Sequence, residues 1–160
     1  MSDVAIVLRP ATAEDCRRVY EWANDPVTRR ASFHSAEITW AEHSMWFEAS
    51  LANPRRQLFI GEADGEPCAL LRLDHGPDQC AEIGINLAPG QRGRRLGTPL
   101  LRAASQLAES SQVRRLVAHI KPDNPASLRT FVSAGYQPAG EATVAGCPAL
   151  RYELEVTSHV

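Results

Sequence analysis

The chain has 160 residues, of which 44% are hydrophobic and 22% charged, with a formal net charge of −2 and a pI near 6.2. This is the composition of one soluble globular domain spanning residues 1–160, and no apolar run approaches the ~18 residues of a membrane helix. The near-neutral charge argues against bulk nucleic-acid binding, and Cys16, Cys68, Cys80 and Cys147, scattered without a Cys-x-x-Cys pair or a secretory signal, argue for reduced thiols in the cytoplasm and against a zinc site.

Val4 to Leu8 reads as a first strand, ended by Arg9-Pro10. Thr12 with Asp15 is a capping-box pattern, and Cys16, Val19, Tyr20 and Ala23 follow the helical i, i+3, i+4, i+7 spacing until Asn24, where Asp25-Pro26 should break the helix. A polar connection through Arg29, Arg30, Ser32, Phe33 and His34 leads to a second capped helix, Thr39 with Glu42, which carries Trp46, Phe47 and Leu51 and stops at Asn53-Pro54. The stripe Trp40, Met45, Trp46 and Phe47 reads first as helix-face packing, with pocket lining as the alternative.

Strands are expected at Leu58 to Ala63 and Cys68 to Asp74, joined by an Asp64-Gly65 hairpin turn, and at Cys80 to Leu87 after Gly76-Pro77. A helical pattern over Leu96, Leu100, Leu101, Ala104, Leu107 and Ala108 follows, starting near Arg95 or Leu96 because Pro99 is tolerated only in a first turn. A strand at Arg114–Ile120 comes next, then a helix with Asn124 as N-cap, Pro125 first, Leu128, Phe131 and Val132 facing inward, and Gly135 closing it. Strands near Gln137–Val144 and Ala149–Val156 end the chain. About seven strands and four helices make an α+β (mixed α/β) sandwich.

The run Gln91-Arg92-Gly93-Arg94-Arg95-Leu96-Gly97-Thr98 sits where a strand ends and a helix begins. The first amides of a helix have no intrahelical acceptor and carry the positive end of its dipole, so this turn, with three arginines and two glycines, suits a phosphate. Neither Gly-x-x-x-x-Gly-Lys-Ser/Thr nor Gly-x-Gly-x-x-Gly is present, which disfavours a nucleotide triphosphatase or a Rossmann oxidoreductase.

Arg92 to Gly97, preceded by Ile83-Gly84-Ile85-Asn86-Leu87, resembles the acyl-CoA pyrophosphate loop of the GNAT N-acetyltransferases, with Arg95 in place of the inner glycine. Asn124-Pro125-Ala126-Ser127, Phe131 and Gly135-Tyr136 are similar to the helix that closes over the cofactor in that superfamily, with Phe131 where many members have a tyrosine. The resemblance implies the GNAT fold, with splayed central parallel strands and acetyl-CoA held by Ile85, Leu87, Arg92, Gly93, Arg94, Arg95, Leu96, Gly97, Thr98, Asn124 and Ser127. It implies an oxyanion donor at the backbone of Leu87 and a general base on the same strand. Alternation puts Glu82 on one face with Gly84 and Asn86, which makes Glu82 the candidate base, an exposed structural carboxylate being the alternative.

Glu21-Trp22-Ala23-Asn24-Asp25-Pro26, Ser32-Phe33, His43-Ser44-Met45-Trp46-Phe47 and Arg72-Leu73-Asp74 resemble the branch of these enzymes that acetylates a 4-amino sugar on a nucleotide carrier. On that resemblance the acceptor is a small molecule bound by Asn24, Arg30, Phe33, His43, Trp46, Arg72 and Asp74, with no nucleic-acid or membrane partner and a homodimer left open. A protein N-terminus is the competing acceptor, since the Trp-x-Asn-Asp-Pro element is similar to one in acetyltransferases of ribosomal proteins, and a non-catalytic CoA-binding module is the reading that Arg95 and Phe131 keep open.

Overall fold

Leu58, Ile60 and Leu70 pack on one side of a sheet while Phe59, Leu71, Leu73 and Ile83 pack on the other, so the sequence demands cover on both faces. The computed structural model describes residues 5–92 and 95–156. Its single sheet contains β1 (Ile6–Pro10), β2 (Arg56–Ala63), β3 (Glu66–His75), β4 (Cys80–Leu87), β5 (Arg115–Ile120), β6 (Gln137–Val144) and β7 (Cys147–Glu155), in the order β1-β2-β3-β4-β5-β7-β6. Every pairing is antiparallel except β4 with β5. Among the described residues no helix is long and apolar enough to cross a membrane.

Among the described residues five α-helices flank the sheet: α1 (Cys16–Ala23), α2 (Pro26–Ala31), α3 (Trp40–Ala52), α4 (Gly97–Ser110) and α5 (Pro125–Ser133). Val19 and Trp22 of α1 and Phe47 of α3 pack on Leu58, Ile60 and Leu70. On the other face Leu101, Ala104 and Ala108 of α4 and Phe131 of α5 pack on Phe59, Leu71, Ile83 and Leu116.

The α2 helix adds a fifth to the about four helices expected. Pro26 ends α1 as anticipated but also supplies the first residue of a new helix, and the Asp25 carboxylate caps it by accepting from Val27 and Thr28 N–H at 3.0 and 3.2 Å. The first strand begins at Ile6 and runs through Pro10, and Val4 lies outside the described residues. Val132 faces solvent at 51% exposure, because Leu128 and Phe131 set the inward face of α5 and Val132 lies off it. In α3 the inward line is His43, Phe47 and Ser50, which leaves Met45 and Leu51 at the surface and corrects the expected packing of Met45, while Trp40, half-exposed, packs edge-on against Tyr20 at 5.2 Å.

Asp15 ties the first helix to the sheet edge. Its carboxylate, almost fully buried, accepts from both terminal nitrogens of Arg9 at 2.9 Å, from Arg18 at 2.6 Å and from Thr12 N–H at 2.9 Å. The Arg9 hydrogen bonds hold its pKa below the ordinary carboxylate value despite burial. Because the folded pKa lies under the unfolded value of about 3.9, this stabilisation is complete above that pH and is lost as pH falls through the folded pKa. Asp15→Asn should therefore cost about 2 kcal/mol near neutrality, read as the denaturant midpoint. The gap to the native chain should stay constant from pH 6 to 8 and narrow below about pH 4.

Candidate active site

The sheet opens at its centre. Strands β4 and β5 pair only at Cys80 with Arg115, Ala81 with Leu116 and Glu82 with Val117, while β4 continues along β3 to Leu87 and β5 continues along β7 to Ile120. Ala88 N–H donates to the Cys68 carbonyl of β3 at 2.8 Å. Successive amides of an extended strand point to opposite edges, so the Leu87 N–H faces the opened side towards β5. The Ile85 and Leu87 side chains pack beside Leu96 and Leu100 at the start of α4.

On the face that carries α1 and α3, cross-strand partners bring Arg72, Asp74, Glu82 and Gly84 together, with Arg72 opposite Gly84 and Asp74 opposite Glu82. Asp74 bridges two arginines: Arg56 Nε lies 2.6 Å from Oδ1 and Arg72 Nε lies 3.0 Å from Oδ2, the second contact off the hydrogen-bond line. Arg72 Nη2 is 3.9 Å from Glu82 Oε1, and His119 Nδ1 of β5 is 3.4 Å from the same oxygen. A Cβ on Gly84 would stand 2.9 Å from Arg72 Nη2, so the missing side chain is what seats the guanidinium over β4. Arg56 also donates to Ser50 Oγ at 3.1 Å and lies 5.9 Å from the centre of the Trp46 ring, which is 36% exposed.

Several expected acceptor contacts are engaged in building the walls. Asn24 donates to the Ile38 carbonyl at 2.7 Å and accepts from its N–H at 2.8 Å, which pins the segment before α3. His43 is 2% exposed within a ring cluster of Tyr20, Trp40, Trp46 and Phe47, and its Nε2 is 2.9 Å from the Cys16 carbonyl. Burial pushes its pKa down, so it is a neutral wall residue, and direct contact with an acceptor does not fit its position. Arg30 is exposed at the end of α2, where its carbonyl accepts from Lys121 Nζ at 3.0 Å, and Phe33 is half-buried beyond that helix.

At the expected phosphate loop, Gly93 and Arg94 lie outside the described residues. Arg95, in place of a glycine, takes the left-handed backbone that a glycine would favour, with φ of 57°. Side chains cap α2, α3 and α5 through Asp25, Thr39 and Asn124, whereas α1 and α4 begin with no side-chain cap, and the first amides of α4 adjoin the arginine loop, where they suit an external anion. Leu96 and Gly97 are buried and Thr98 half-buried. Asn124 Oδ1 accepts from Ser127 N–H at 3.2 Å, so this pair forms the cap of α5. Arg92 is turned towards α2: its Nη2 is 2.6 Å from Asp25 and donates to Thr28 Oγ1 at 2.8 Å, while Thr28 donates to Asn86 Oδ1 at 3.2 Å. The uncapped helix start, the left-handed Arg95 and the adjoining α5 cap fit the nucleotide part of an acyl-CoA.

Tyr136 is buried with its hydroxyl in the core and its pKa raised by desolvation, packed edge-on against Phe131 at 5.0 Å, so neither ring reaches the opening. Sequence reasoning passed over His119, Arg56 and Thr28. Alternation along β5 carried a signal for His119, since Leu116, Ala118 and Ile120 face the core under α4 and α5 and Val117 and His119 must share the face of Glu82.

A seven-stranded sheet with one short parallel pairing, an opened centre and an uncapped helix beside it defines an acyl-CoA-dependent N-acyltransferase fold. The sequence profile of the acetyltransferase (GNAT) domain matches residues 5–137, and the chain belongs to this family. It is an acetyl-CoA-dependent N-acetyltransferase acting on amines. A Bacillus subtilis (strain 168) protein named as a candidate ribosomal protein bS18-alanine N-acetyltransferase is 28% identical over 133 residues, covering 83% of this chain and 82% of that protein. The aminoglycoside acetyltransferase AAC(6')-Ib, solved with paromomycin and acetyl-CoA, superposes with a TM-score of 0.85 at 23% identity, covering 94% of this chain and 93% of that one. An N-acetyltransferase from Staphylococcus aureus Mu50 gives a TM-score of 0.79 at 23% identity over 98% of this chain and 100% of the other. At these identities the two structures speak for the fold.

Gly97 is a close contact between the start of α4 and α5. A Cβ there would lie 2.6 Å from Thr130 Cγ2, and Thr130 is held by donating to the Ala126 carbonyl at 3.0 Å. Gly97→Ala should push α5 off α4, cost about 1–3 kcal/mol in denaturant unfolding and weaken acetyl-CoA binding by calorimetry. Adding Thr130→Ser, which removes the clashing methyl, should restore both.

Proposed function

We propose that the chain acetylates the amino group of an amino sugar, in the form linked to a nucleotide, by direct attack on acetyl-CoA within the cytoplasm. The observation that carries the sugar reading is the strip Trp46, Arg56, Asp74 and Arg72, which runs from a half-exposed ring to a carboxylate with two guanidiniums beside Glu82. An aromatic wall with charged hydrogen-bonding groups suits a hydroxylated ring carrying a phosphate, and exposed Arg30 adds a cation on the α2 side. The competing acceptor is a protein N-terminus, which the likeness to the ribosomal-protein acetyltransferase supports.

Acetyl-CoA supplies the activated acyl group. Glu82, with its side chain 42% exposed at the end of the β4–β5 pairing, takes the proton from the acceptor ammonium so that the nitrogen attacks as a neutral amine. The Leu87 N–H, aimed into the opening, donates to the carbonyl oxygen as negative charge develops. The uncapped amides of α4 hold the pyrophosphate, with the exposed Arg95 as the neighbouring cation. With Tyr136 and Phe131 in the core, water protonates the departing thiolate. Cys80 lies seven residues before Leu87, roughly 23 Å away along an extended strand, which favours direct transfer over an acyl-cysteine.

Glu82→Gln should lower kcat about 100-fold while leaving acetyl-CoA affinity unchanged. Thiol release should be compared for a UDP-linked 4-amino-4,6-dideoxy sugar, the same sugar free, and N-terminal peptides beginning with alanine. The expected outcome is a kcat/KM at least about tenfold higher for the nucleotide-linked sugar. Comparable turnover of the peptides, or indifference to the nucleotide, would replace the acceptor and keep the acetyltransferase.

A further inference from the structure

We infer that His119 is the proton-holding partner of Glu82, receiving the acceptor's proton from the carboxyl and returning it to water. This rests on the reading of Glu82 as the base. The structure places the two at the mouth of the opening: Glu82 forms the last β4–β5 pair with Val117, and His119 is the next β5 residue on that face. His119 Nδ1 is buried, has no hydrogen-bond partner and stands 3.4 Å from Glu82 Oε1. Leaving a buried ring nitrogen unpaired is costly, and a nitrogen that must alternately take and release a proton cannot be committed to a fixed donor. The exposures set the order of transfer, because the Glu82 side chain is 42% exposed and the His119 side chain 17%, so the acceptor meets the carboxylate first.

The surroundings are charged but otherwise engaged. From β3, Arg72 faces Glu82 at 3.9 Å and Asp74 is held by Arg56 and Arg72. From β7, Arg151 is the cross-strand partner of His119 and donates to Glu153 at 2.8 and 3.1 Å. Glu82 is the carboxylate in direct reach of the imidazole.

The proton balance is simple. An N–H bond of the ammonium breaks, its electron pair stays on nitrogen, and an O–H bond forms on Glu82. That O–H then breaks as Nδ1–H forms on a neutral imidazole protonated at Nε2, leaving a carboxylate beside an imidazolium. The imidazolium gives its proton to water during turnover, and the second amine proton lost after attack balances protonation of the thiolate. His119 acts through Glu82 and is therefore a positioning residue.

The acceptor-independent test is the NMR spectrum of the imidazole in the intact protein, with His119 assigned by triple resonance. Glu82→Gln removes the charge beside Nδ1, so it should shift the His119 ring-nitrogen resonances and leave those of the other histidines in place. Unmoved His119 resonances overturn the pairing. The kinetic test uses whichever amine of the acceptor panel is turned over fastest. His119→Gln should lower kcat at least about tenfold, keep KM for acetyl-CoA, and recover part of the loss when free imidazole is added. A lower kcat that imidazole does not restore would make His119 a packing residue only. Failure of these tests leaves the acetyltransferase and its acceptor standing, since neither depends on His119.

Discussion

The constraint on which the molecule depends is that β4 and β5 share only three residue pairs before each follows its other neighbour. Backbone amides inside a sheet are normally spent on the ladder, so an opened parallel pair leaves donors facing a gap in a covered core. The gap exists because β4 is held along its full length by β3 and β5 along its full length by β7, while the two halves twist apart beyond Glu82. The Leu87 amide and the Glu82 carboxylate, both on β4, and the start of α4 border this gap.

Two missing side chains tune this region. Gly84 lets the Arg72 guanidinium lie across β4, and Gly97 lets α5 close against the first residue of α4. Both are steric requirements rather than conformational ones. Arg95 is the reverse case, a long side chain kept at a left-handed position with φ of 57°, where a glycine would relieve of the order of 1 kcal/mol of backbone strain but remove a cation from the loop.

Much of this was legible in the chain. The strand Cys80–Leu87, the hairpin at Asp64-Gly65 and the cap at Asn124 follow from alternation, turn chemistry and Pro placement, all local signals. The face shared by Arg72, Asp74 and Glu82 also followed, once β3 and β4 were known to pair. What stayed hidden was the competition for polar side chains. Asn24 and His43 have the chemistry of ligands, but their hydrogen bonds go to Ile38 and Cys16, partners that no sequence spacing specifies. His119 was missed because its importance arises from a contact between strands 37 residues apart in the chain, Glu82 to His119.

Two charged clusters in the same fold show how structure and function divide. Around Asp15 every contact is closed: four donors from Arg9, Arg18 and Thr12 satisfy one carboxylate, and the result is a rigid tie. Around Glu82 the contacts are long, at 3.4 and 3.9 Å, and among the described residues two of the three buried side-chain atoms without a hydrogen-bond partner, Arg72 Nε and His119 Nδ1, sit on this one face. A fold selected for stability alone would close such a network, because each unpaired buried atom costs of the order of 1–3 kcal/mol. Its openness at the end of the β4–β5 pairing, where a proton must be taken from an amine, is what distinguishes a reacting cluster from a structural one.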